Sequence, residues 1–347
     1  MRQAVLTEPE HIEFIEAAEP DVRELGPHQI LAKIMMIGIC GSEIHSWHGT
    51  HPATFYPVVQ GHEYSAVVTA VGSEVTACAI GDRITARPQL VCGKCGPCKK
   101  GRYNVCEHLR VQAFQADGAA RDYFVIDDDR VVKLPSDMAF EYGAMVEPAA
   151  VGVHAVSRAG DLKGMNVVVS GAGTIGNLVA QSVVAAGAKR VLITDVSDCR
   201  LEIARRCGIS ETLNVATTPL KDVVGEIFGD EGFQTGFEVA GAESSLRSLM
   251  ECVEKGGTVV AVGVFAADPK VNMFHLGEHE LNIVGTMMYL HEDFIRAVKG
   301  IYDGSIVLDP LITNIFPFEK YADAYKFIDD GRGTSMKVLI DLRNSGQ

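Results

Sequence analysis

The chain has 347 residues, of which 31 are Lys or Arg and 45 are Asp or Glu, so its formal net charge is −14. At about 150 residues per domain this length predicts two domains, and 47% hydrophobic residues is ordinary for a globular protein. So acidic a chain is a poor ligand for nucleic acid or an anionic membrane surface, and we expect a small-molecule substrate. The N-terminus lacks a signal-peptide apolar segment and no apolar run reaches about 18 residues, so we expect a cytoplasmic protein outside the membrane.

Residues 1–150 predict a β-rich domain. Short β-prone runs alternate there with Gly, Pro and Asp turn residues, a pattern typical of a barrel-like β unit. The runs are Ile30–Ile37, Tyr64–Val71, Arg83–Ala86, Tyr123–Ile126 and Val131–Leu134.

After about residue 139, apolar runs alternate with helical segments. The predicted helices are Phe140–Ala159, Ile175–Ala186 and Cys199–Cys207, and the predicted strands are Asn166–Ser170, Arg190–Thr194, Thr235–Val239, Thr258–Val262 and Leu281–Val284. Continuous apolar strands separated by helices predict an α/β fold with a doubly wound parallel sheet. Two later helices, Glu292–Ile301 and Phe318–Ile328, precede a last strand, Lys337–Asp341, which could return to the first domain.

A glycine-rich turn follows the first of these strands. Gly171, Gly173 and Gly176 form a G-x-G-x-x-G, and Asp195 ends the next predicted strand, 19 residues after Gly176. Such glycines allow a tight turn, a close approach of pyrophosphate to a helix N-terminus, and close helix packing. The Asp can bind an adenosine ribose and would repel a 2′-phosphate, so NAD is favoured over NADP, although Arg200 lies near enough to weaken that preference.

Four of the nine cysteines lie between residues 92 and 106. Cys92, Cys95, Cys98 and Cys106 are separated by two, two and seven residues. Four thiolates suit a tetrahedral zinc ion without an open position, which is a structural site. A ferredoxin-type cluster is the alternative, but it would have three residues before the last Cys and Pro after it. Disulfides are disfavoured by the expected compartment.

A second set of possible metal ligands is spread along the chain. Cys40 follows a predicted strand, His62 and Glu63 precede another, and Glu147 stands before a proline. Sulfur, nitrogen and oxygen donors together suit a catalytic zinc ion, which keeps about three protein ligands and an open position. The residues leave open which acids bind the metal.

The ordered motifs are GICGSEIH (38–45), GHE (61–63), IGDR (80–83), VEPAAVGVHA (146–155) and GAGTIG (171–176), with the four cysteines between the third and the fourth. With them the sequence resembles, over essentially its whole length, the zinc-dependent medium-chain dehydrogenase/reductase superfamily. It is most similar to the sorbitol (L-iditol) dehydrogenases, with threonine and butanediol dehydrogenases as near neighbours. The resemblance implies a GroES-like catalytic domain of residues 1–152 and 290–347, a Rossmann NAD domain of residues 153–289, and a homodimer or homotetramer.

The resemblance also implies residue roles. The catalytic zinc ligands of the family match Cys40, His62 and Glu63, and a residue that binds this zinc directly or through water or substrate matches Glu147. The family's proton relay matches Ser42 and His45, and its structural zinc site matches Cys92, Cys95, Cys98 and Cys106. The NAD site matches Gly171, Gly173, Thr174, Ile175, Gly176, Asp195, Arg200, Val262, Gly263, Val264, Gly285, Thr286 and Met287. The implied reaction is reversible, NAD-linked oxidation of a secondary alcohol of a polyol to the ketone, with two zinc ions per chain.

Two departures leave the substrate open. Met288-Tyr289 stands where sorbitol dehydrogenases carry Arg-Tyr, and Ser46-Trp47 replaces a tyrosine of that family. L-Threonine 3-dehydrogenase and vicinal-diol dehydrogenase therefore remain alternatives. Two further alternatives are a protein that binds NAD without catalysis and a zinc ribbon that binds nucleic acid. The intact metal-binding residues disfavour the non-catalytic protein, and the negative net charge disfavours the nucleic-acid binder.

Overall fold

The structure, a computed structural model, describes residues 1–331 and 335–343. The chain forms two compact units. The first comprises Met1–Glu147, Leu290–Tyr302 and the described part of Ile312–Gln347, and the second comprises Pro148–Tyr289 and Asp303–Leu311. No helix among the described residues is both long enough and apolar enough to cross a bilayer.

The first unit is β-rich, as predicted. Its N-terminal segment contains strands β1 (Arg2–Glu8), β2 (His11–Glu16), β3 (Gln29–Gly38), β4 (Val58–Val59), β5 (Glu63–Val71), β6 (Arg83–Ala86), β7 (Gln89–Leu90), β8 (Arg110–Val111), β9 (Tyr123–Asp127) and β10 (Val131–Lys133), and helices α1 (Gly41–Trp47), α2 (Gly96–Lys99) and α3 (Phe140–Ala144). Across both units, short 3-10 helices occur at Val22–Glu24, Tyr103–Val105, Asp128–Arg130, Gly229–Glu231 and Phe318–Lys320.

The second unit contains the predicted doubly wound sheet. Its elements are α4 (Val146–Ala159, which begins in the first unit), β11 (Asn166–Ser170), α5 (Thr174–Ala185), β12 (Arg190–Asp195), α6 (Asp198–Arg206), β13 (Glu211–Asn214), α7 (Leu220–Phe228), β14 (Thr235–Glu238), α8 (Glu243–Cys252), β15 (Thr258–Ala261), α9 (Met273–Glu278) and β16 (Asn282–Gly285). The sheet order is β13-β12-β11-β14-β15-β16, and all pairs are parallel. This is the strand order of dinucleotide-binding folds, so the predicted fold class is confirmed.

The chain then returns to the first unit. The closing elements are α10 (His291–Tyr302), β17 (Ile312–Pro317), α11 (Tyr321–Asp330) and β18 (Lys337–Asp341). Strand β18 pairs antiparallel with β3, opposite Gly38 at Leu339. The predicted return of the last strand is confirmed.

One predicted helix is wrong in extent. The segment Phe140–Ala159 is divided at Met145 into α3 and α4. Pro148 has no N–H to donate to the carbonyl of Ala144, and its ring clashes with that position in a continuous helix. The helix therefore ends and restarts, with Pro148 in the first turn of α4, where a missing N–H costs nothing.

Pairing between β3 and β5 positions the site. Gly38 lies opposite Glu63, and Ile37 lies opposite Tyr64. Both strands are largely buried, and their apolar side chains, among them Ile34 of β3, belong to one hydrophobic core. The residue after the end of β3 and the residues at the start of β5 therefore meet at the same edge of the sheet.

Candidate metal centres and cofactor site

Three of the predicted ligands come together at this edge. Cys40 precedes α1, His62 precedes β5, and Glu63 is the first residue of β5. The Cys40 Sγ, one ring nitrogen of His62 and one carboxylate oxygen of Glu63 all lie within 4.8 Å of one another. One sulfur, one nitrogen and one oxygen donor at this spacing suit a zinc ion with bonds of about 2.0–2.3 Å.

A buried carboxylate orients His62. Glu43, in the first turn of α1, is fully buried, and its Oε1 accepts hydrogen bonds from His62 Nδ1 at 2.8 Å and from the Gly61 N–H at 2.9 Å. This leaves His62 Nε2 for a metal. Carboxylates in this position fix the tautomer of a ligating histidine and increase its basicity. Glu43 lies within the GICGSEIH motif, but its position in the sequence does not reveal this contact with His62.

A buried ion pair holds Glu63. Lys337, the first residue of β18, donates from Nζ to Glu63 Oε1 at 2.8 Å, to Oε2 at 2.6 Å and to the Ile39 carbonyl at 3.0 Å. Only 4% of Lys337 and 1% of Glu63 are exposed. Burial lowers the pKa of Lys337, but Glu63 and Cys40 outweigh burial and raise it above the ordinary value, so the ammonium stays charged. Sequence reasoning missed Lys337, although a lysine in the apolar run KVLI is a detectable signal.

The charge balance favours a cation between the donors. Two further buried carboxylates, Glu43 and Glu147, lie near the group, while Lys337 supplies a single positive charge. Burial lowers the pKa of His62, but Glu43 and Cys40 outweigh it and raise that pKa well above its usual value. The surroundings therefore stabilise positive charge at this point, as a Zn²⁺ ion requires.

Glu147 lies outside the group of three. It is buried, and its charge helps to raise the pKa of Lys337. The metal group that includes Cys40, His62 and Glu63 does not include it. A role for Glu147 at the zinc ion stays a prediction.

The predicted relay residues lie on α1, immediately after Cys40. Ser42 is half-buried in the first turn, and His45 is exposed one turn later. His45 Nδ1 lies 3.2 Å from Thr50 Oγ1, and the Thr50 hydroxyl also donates to the His45 carbonyl. The imidazole is thus fixed on one side while it retains access to solvent.

The four cysteines form a second metal group. The sulfur atoms of Cys92, Cys95, Cys98 and Cys106 lie within 4.8 Å of one another. Backbone N–H groups of Cys92 and His108 point at Cys106 Sγ, at 3.4 and 3.3 Å. Backbone N–H groups of Lys94 and Cys95 lower the pKa of the Cys92 thiol to about 6. Burial and the neighbouring Cys95 and Cys106 raise the pKa of the Cys98 thiol to about 12. Four thiolates at this spacing therefore require a cation between them, which fits structural zinc.

The glycine turn has the geometry that a dinucleotide site needs. Gly171 has φ +110°, a conformation that favours glycine, and a Cβ on Gly176 would lie 1.8 Å from the Gly171 carbonyl oxygen. A Cβ on Gly173 would meet nothing within 4 Å, so the chain is open there. Gly173 precedes α5, whose first residues are Thr174 and Ile175. A pyrophosphate can approach this helix N-terminus.

Asp195 ends β12 beside the glycine turn. Its Oδ2 accepts from the Ala172 N–H at 2.7 Å, and its Oδ1 accepts from the Ser197 N–H at 2.9 Å. The guanidinium of Arg200 lies 3.9 Å from Oδ2. The carboxylate is therefore fixed next to the turn, with a cation close by.

The other predicted cofactor residues follow two neighbouring strands. The segment Val262–Val264 comes after β15, and Gly285 ends β16, followed by Thr286 and Met287. Ligands of doubly wound folds bind at the carboxyl ends of the strands. Val264 and Met287 are exposed apolar side chains at this edge, 84% and 44% accessible.

Comparisons with known proteins agree with this arrangement. Residues 26–136 match the family model of the alcohol dehydrogenase GroES-like domain, and residues 174–301 match that of the zinc-binding dehydrogenases. A probable D-xylulose reductase A of Aspergillus terreus is 32% identical over 95% of this chain and 94% of its own length. An L-threonine 3-dehydrogenase of Marinomonas sp. is 32% identical over 92% of this chain and 93% of its own.

A solved structure has the same fold. It is a putative zinc-binding dehydrogenase from Sinorhizobium meliloti bound to NADP, 28% identical, with a TM-score of 0.87 over 98% of this chain and 99% of that one. The chain belongs to the zinc-dependent medium-chain dehydrogenase/reductase superfamily, and its relatives place it near the polyol dehydrogenases.

The role of Glu43 can be tested by metal affinity. We expect Glu43→Ala to weaken zinc binding at the Cys40 group by about 10- to 100-fold, because His62 Nδ1 and the Gly61 N–H lose their acceptor. Glu43→Gln keeps an acceptor oxygen and should lose less zinc affinity than Glu43→Ala. Zinc retained against a graded chelator measures the effect, and the zinc of the four cysteines serves as the internal control. Equal retention by all three proteins would contradict the role.

Proposed function

We propose that the chain catalyses the reversible, zinc-dependent and NAD-linked oxidation of a secondary alcohol of a polyol to the ketone. The observation that carries the proposal is the group of Cys40, His62 and Glu63 in the first unit of a chain whose second unit has the sheet order and glycine turn of a dinucleotide fold. The relative described as a D-xylulose reductase supports a polyol substrate. The L-threonine 3-dehydrogenase relative supports a second candidate, a 2-amino-3-hydroxy acid.

In this proposal Cys40, His62 and Glu63 hold the catalytic zinc ion, with Glu147 as a further carboxylate nearby. The four cysteines hold a structural one. When bound, zinc supplies Lewis acidity that lowers the pKa of a hydroxyl, and the nicotinamide accepts hydride. Glu43 keeps Nε2 of His62 directed at the metal.

Ser42 and His45 remove the hydroxyl proton. Ser42 lies two residues after the cysteine ligand, and His45 reaches solvent one helical turn later. An imidazole can accept a proton at one ring nitrogen and release one to water, which is why histidine serves as a proton shuttle. The contact between His45 Nδ1 and Thr50 leaves Nε2 for the exchange with water.

We propose NAD as the preferred cofactor. The Asp195 carboxylate at the end of β12 is held by the Ala172 and Ser197 N–H groups, where it can accept from ribose hydroxyls and repel a 2′-phosphate. Arg200 lies close to Asp195, and one solved relative is bound to NADP. The preference for NAD thus rests on the charge of one side chain.

We also propose that copies of the chain associate as a homotetramer or homodimer. Strand β16 is an edge of the parallel sheet in the described chain, with Ile283 exposed on it and Phe274 exposed in α9. Unpaired edges with apolar side chains favour association. Sedimentation equilibrium on the zinc-loaded protein should give two or four copies, whereas a monomer at micromolar concentration would refute the proposal.

A cytoplasmic location is part of the same proposal. All nine cysteines are free thiols in the structure, and two metal groups that use thiolates need reducing conditions. Cell fractionation tests the location, and recovery outside the cytosolic fraction contradicts it.

The proposed reaction predicts a substrate profile. We expect NAD reduction with sugar alcohols, less with butane-2,3-diol, and least with threonine. Cys40→Ser should lower kcat/KM by roughly three orders of magnitude, or about 4 kcal/mol. Cys78→Ser, a half-buried thiol in the same unit, is the matched control and should keep full activity.

Two outcomes would overturn parts of this proposal. Threonine as the best substrate would establish the second candidate instead of the polyol. Full activity of Cys40→Ser, with its zinc content reduced, would remove the catalytic metal from the reaction.

The cofactor preference predicts a switch. Asp195→Asn keeps an acceptor for the Ala172 N–H but removes the charge, so the ratio of kcat/KM for NAD to that for NADP should fall by about 10- to 100-fold. Initial rates with each cofactor at saturating substrate measure it. Arg200→Ala is the control and should shift the ratio in the opposite direction. An unchanged ratio in Asp195→Asn would contradict the role of the carboxylate.

A further inference from the structure

A third histidine lies close to the Cys40 group, and neither the sequence motifs nor the proposed mechanism uses it. His51 is half-buried in the loop between α1 and β4. Its backbone N–H donates to the His45 carbonyl at 3.1 Å. Its ring stacks on Phe114, with centroids 4.5 Å apart and planes 25° apart, and the ring of His62 lies 5.2 Å from the same phenyl group. His51 is therefore connected to the proposed proton relay through its backbone and to a proposed zinc ligand through the shared Phe114 ring.

Hydrogen bonds fix the protonation pattern of the His51 ring. Thr54 Oγ1 lies 2.9 Å from Nδ1, and the Ala53 N–H points at the same nitrogen at 3.4 Å. Thr54 is itself held by Ser46, with their hydroxyl oxygens 2.7 Å apart. A backbone N–H can only donate, so Nδ1 acts as an acceptor and the ring hydrogen is on Nε2. Nε2 makes no hydrogen bond with residues 1–331 or 335–343.

Two hydrogen bonds fix the loop that carries His51 to the segment that contains Phe114. Gln115 Nε2 donates to the Ala53 carbonyl at 2.7 Å, and the Phe55 N–H donates to the Phe114 carbonyl at 3.0 Å. Ring stacking, the Thr54 contact and these two bonds restrict the imidazole before any ligand binds. A donor held this way costs little entropy when it binds a substrate.

The charge state of His51 selects the kind of group that it can bind. Burial, followed by the neighbouring His45 and His62, lowers the pKa of His51 below its ordinary value. The hydrogen bonds lead to the same conclusion, because a ring whose Nδ1 accepts from the Ala53 N–H carries a single hydrogen and no charge. A neutral N–H donor suits an uncharged hydroxyl and offers a phosphate or carboxylate no charge to pair with.

We propose that His51 Nε2–H donates a hydrogen bond to a second hydroxyl of the substrate, remote from the hydroxyl that is oxidised, and so selects polyols over simple secondary alcohols. This inference rests on the proposed function and names a specificity residue for it. Ser46-Trp47 replaces a tyrosine of the sorbitol dehydrogenases, so this chain has no phenol at that position. Ser46 instead contacts the Thr54 hydroxyl, which holds the His51 ring.

The test compares two substrates in one set of variants. His51→Phe keeps a ring to stack on Phe114 but has no donor, so kcat/KM for a sugar alcohol should fall about tenfold, largely through KM, while that for 2-butanol changes less than twofold. His51→Gln restores an N–H donor and should recover part of the loss. Thr54→Val frees the ring and should give a smaller loss of the same kind.

A binding measurement separates this inference from the proposed reaction. The Kd of the sugar alcohol is measured with the zinc-loaded enzyme and NADH, by the change in NADH fluorescence. An increase of about tenfold in His51→Phe supports His51 even if the wild-type protein oxidises neither alcohol, which would overturn only the reaction.

Three results would overturn the role of His51. They are an unchanged Kd in His51→Phe, equal losses of kcat/KM on both substrates, and tighter binding of a phosphorylated or carboxylated polyol that depends on His51. The second would mean a structural role for the ring, and the third would mean an anion site.

Discussion

The buried ion pair between Lys337 and Glu63 is the interaction that connects the last strand of the chain to the Cys40 group. Removing both charges from water is costly, and their attraction compensates only with good geometry and further hydrogen bonds. Here Lys337 Nζ bonds both Glu63 oxygens and the Ile39 carbonyl. Lys337 begins β18, which pairs with β3, the strand that leads to Cys40. The last strand is thus needed to complete the surroundings of a metal group formed by the first third of the chain.

The two metal groups are built in different ways. The four cysteines lie within one short segment, whose backbone N–H groups lower the pKa of the Cys92 thiol. The Cys40 group is assembled by the pairing of β3 with β5 and is surrounded by the buried charges of Glu43, Glu147 and Lys337. The four-cysteine group is therefore formed by residues close together in the sequence. The Cys40 group depends on tertiary structure, and it borders the surface where His45 and His51 retain solvent access.

Sequence reasoning predicted what is local and periodic. Strands β11 and β18 have the predicted bounds because a continuous apolar run marks a buried strand. The break at Met145 was missed, although Pro148 signals it. Cys40, His62 and Glu63 were proposed together from their donor types, but Glu43 was passed over inside a motif. Neither Lys337 nor the ring contacts of His51 can be read from spacing, because long-range strand pairing and loop packing create them.

Zinc-edge anomalous diffraction from crystals of the zinc-loaded protein tests the central claim most directly. We expect two anomalous peaks per chain. One should lie among the four cysteine sulfur atoms and the other within bonding distance, about 2.0–2.3 Å, of Cys40 Sγ and His62 Nε2. Glu43 should still accept from His62 Nδ1, and Lys337 should remain bonded to at least one Glu63 oxygen. A single peak at the four cysteines, or a second ion away from Cys40 and His62, would contradict a catalytic zinc site at this edge of the sheet.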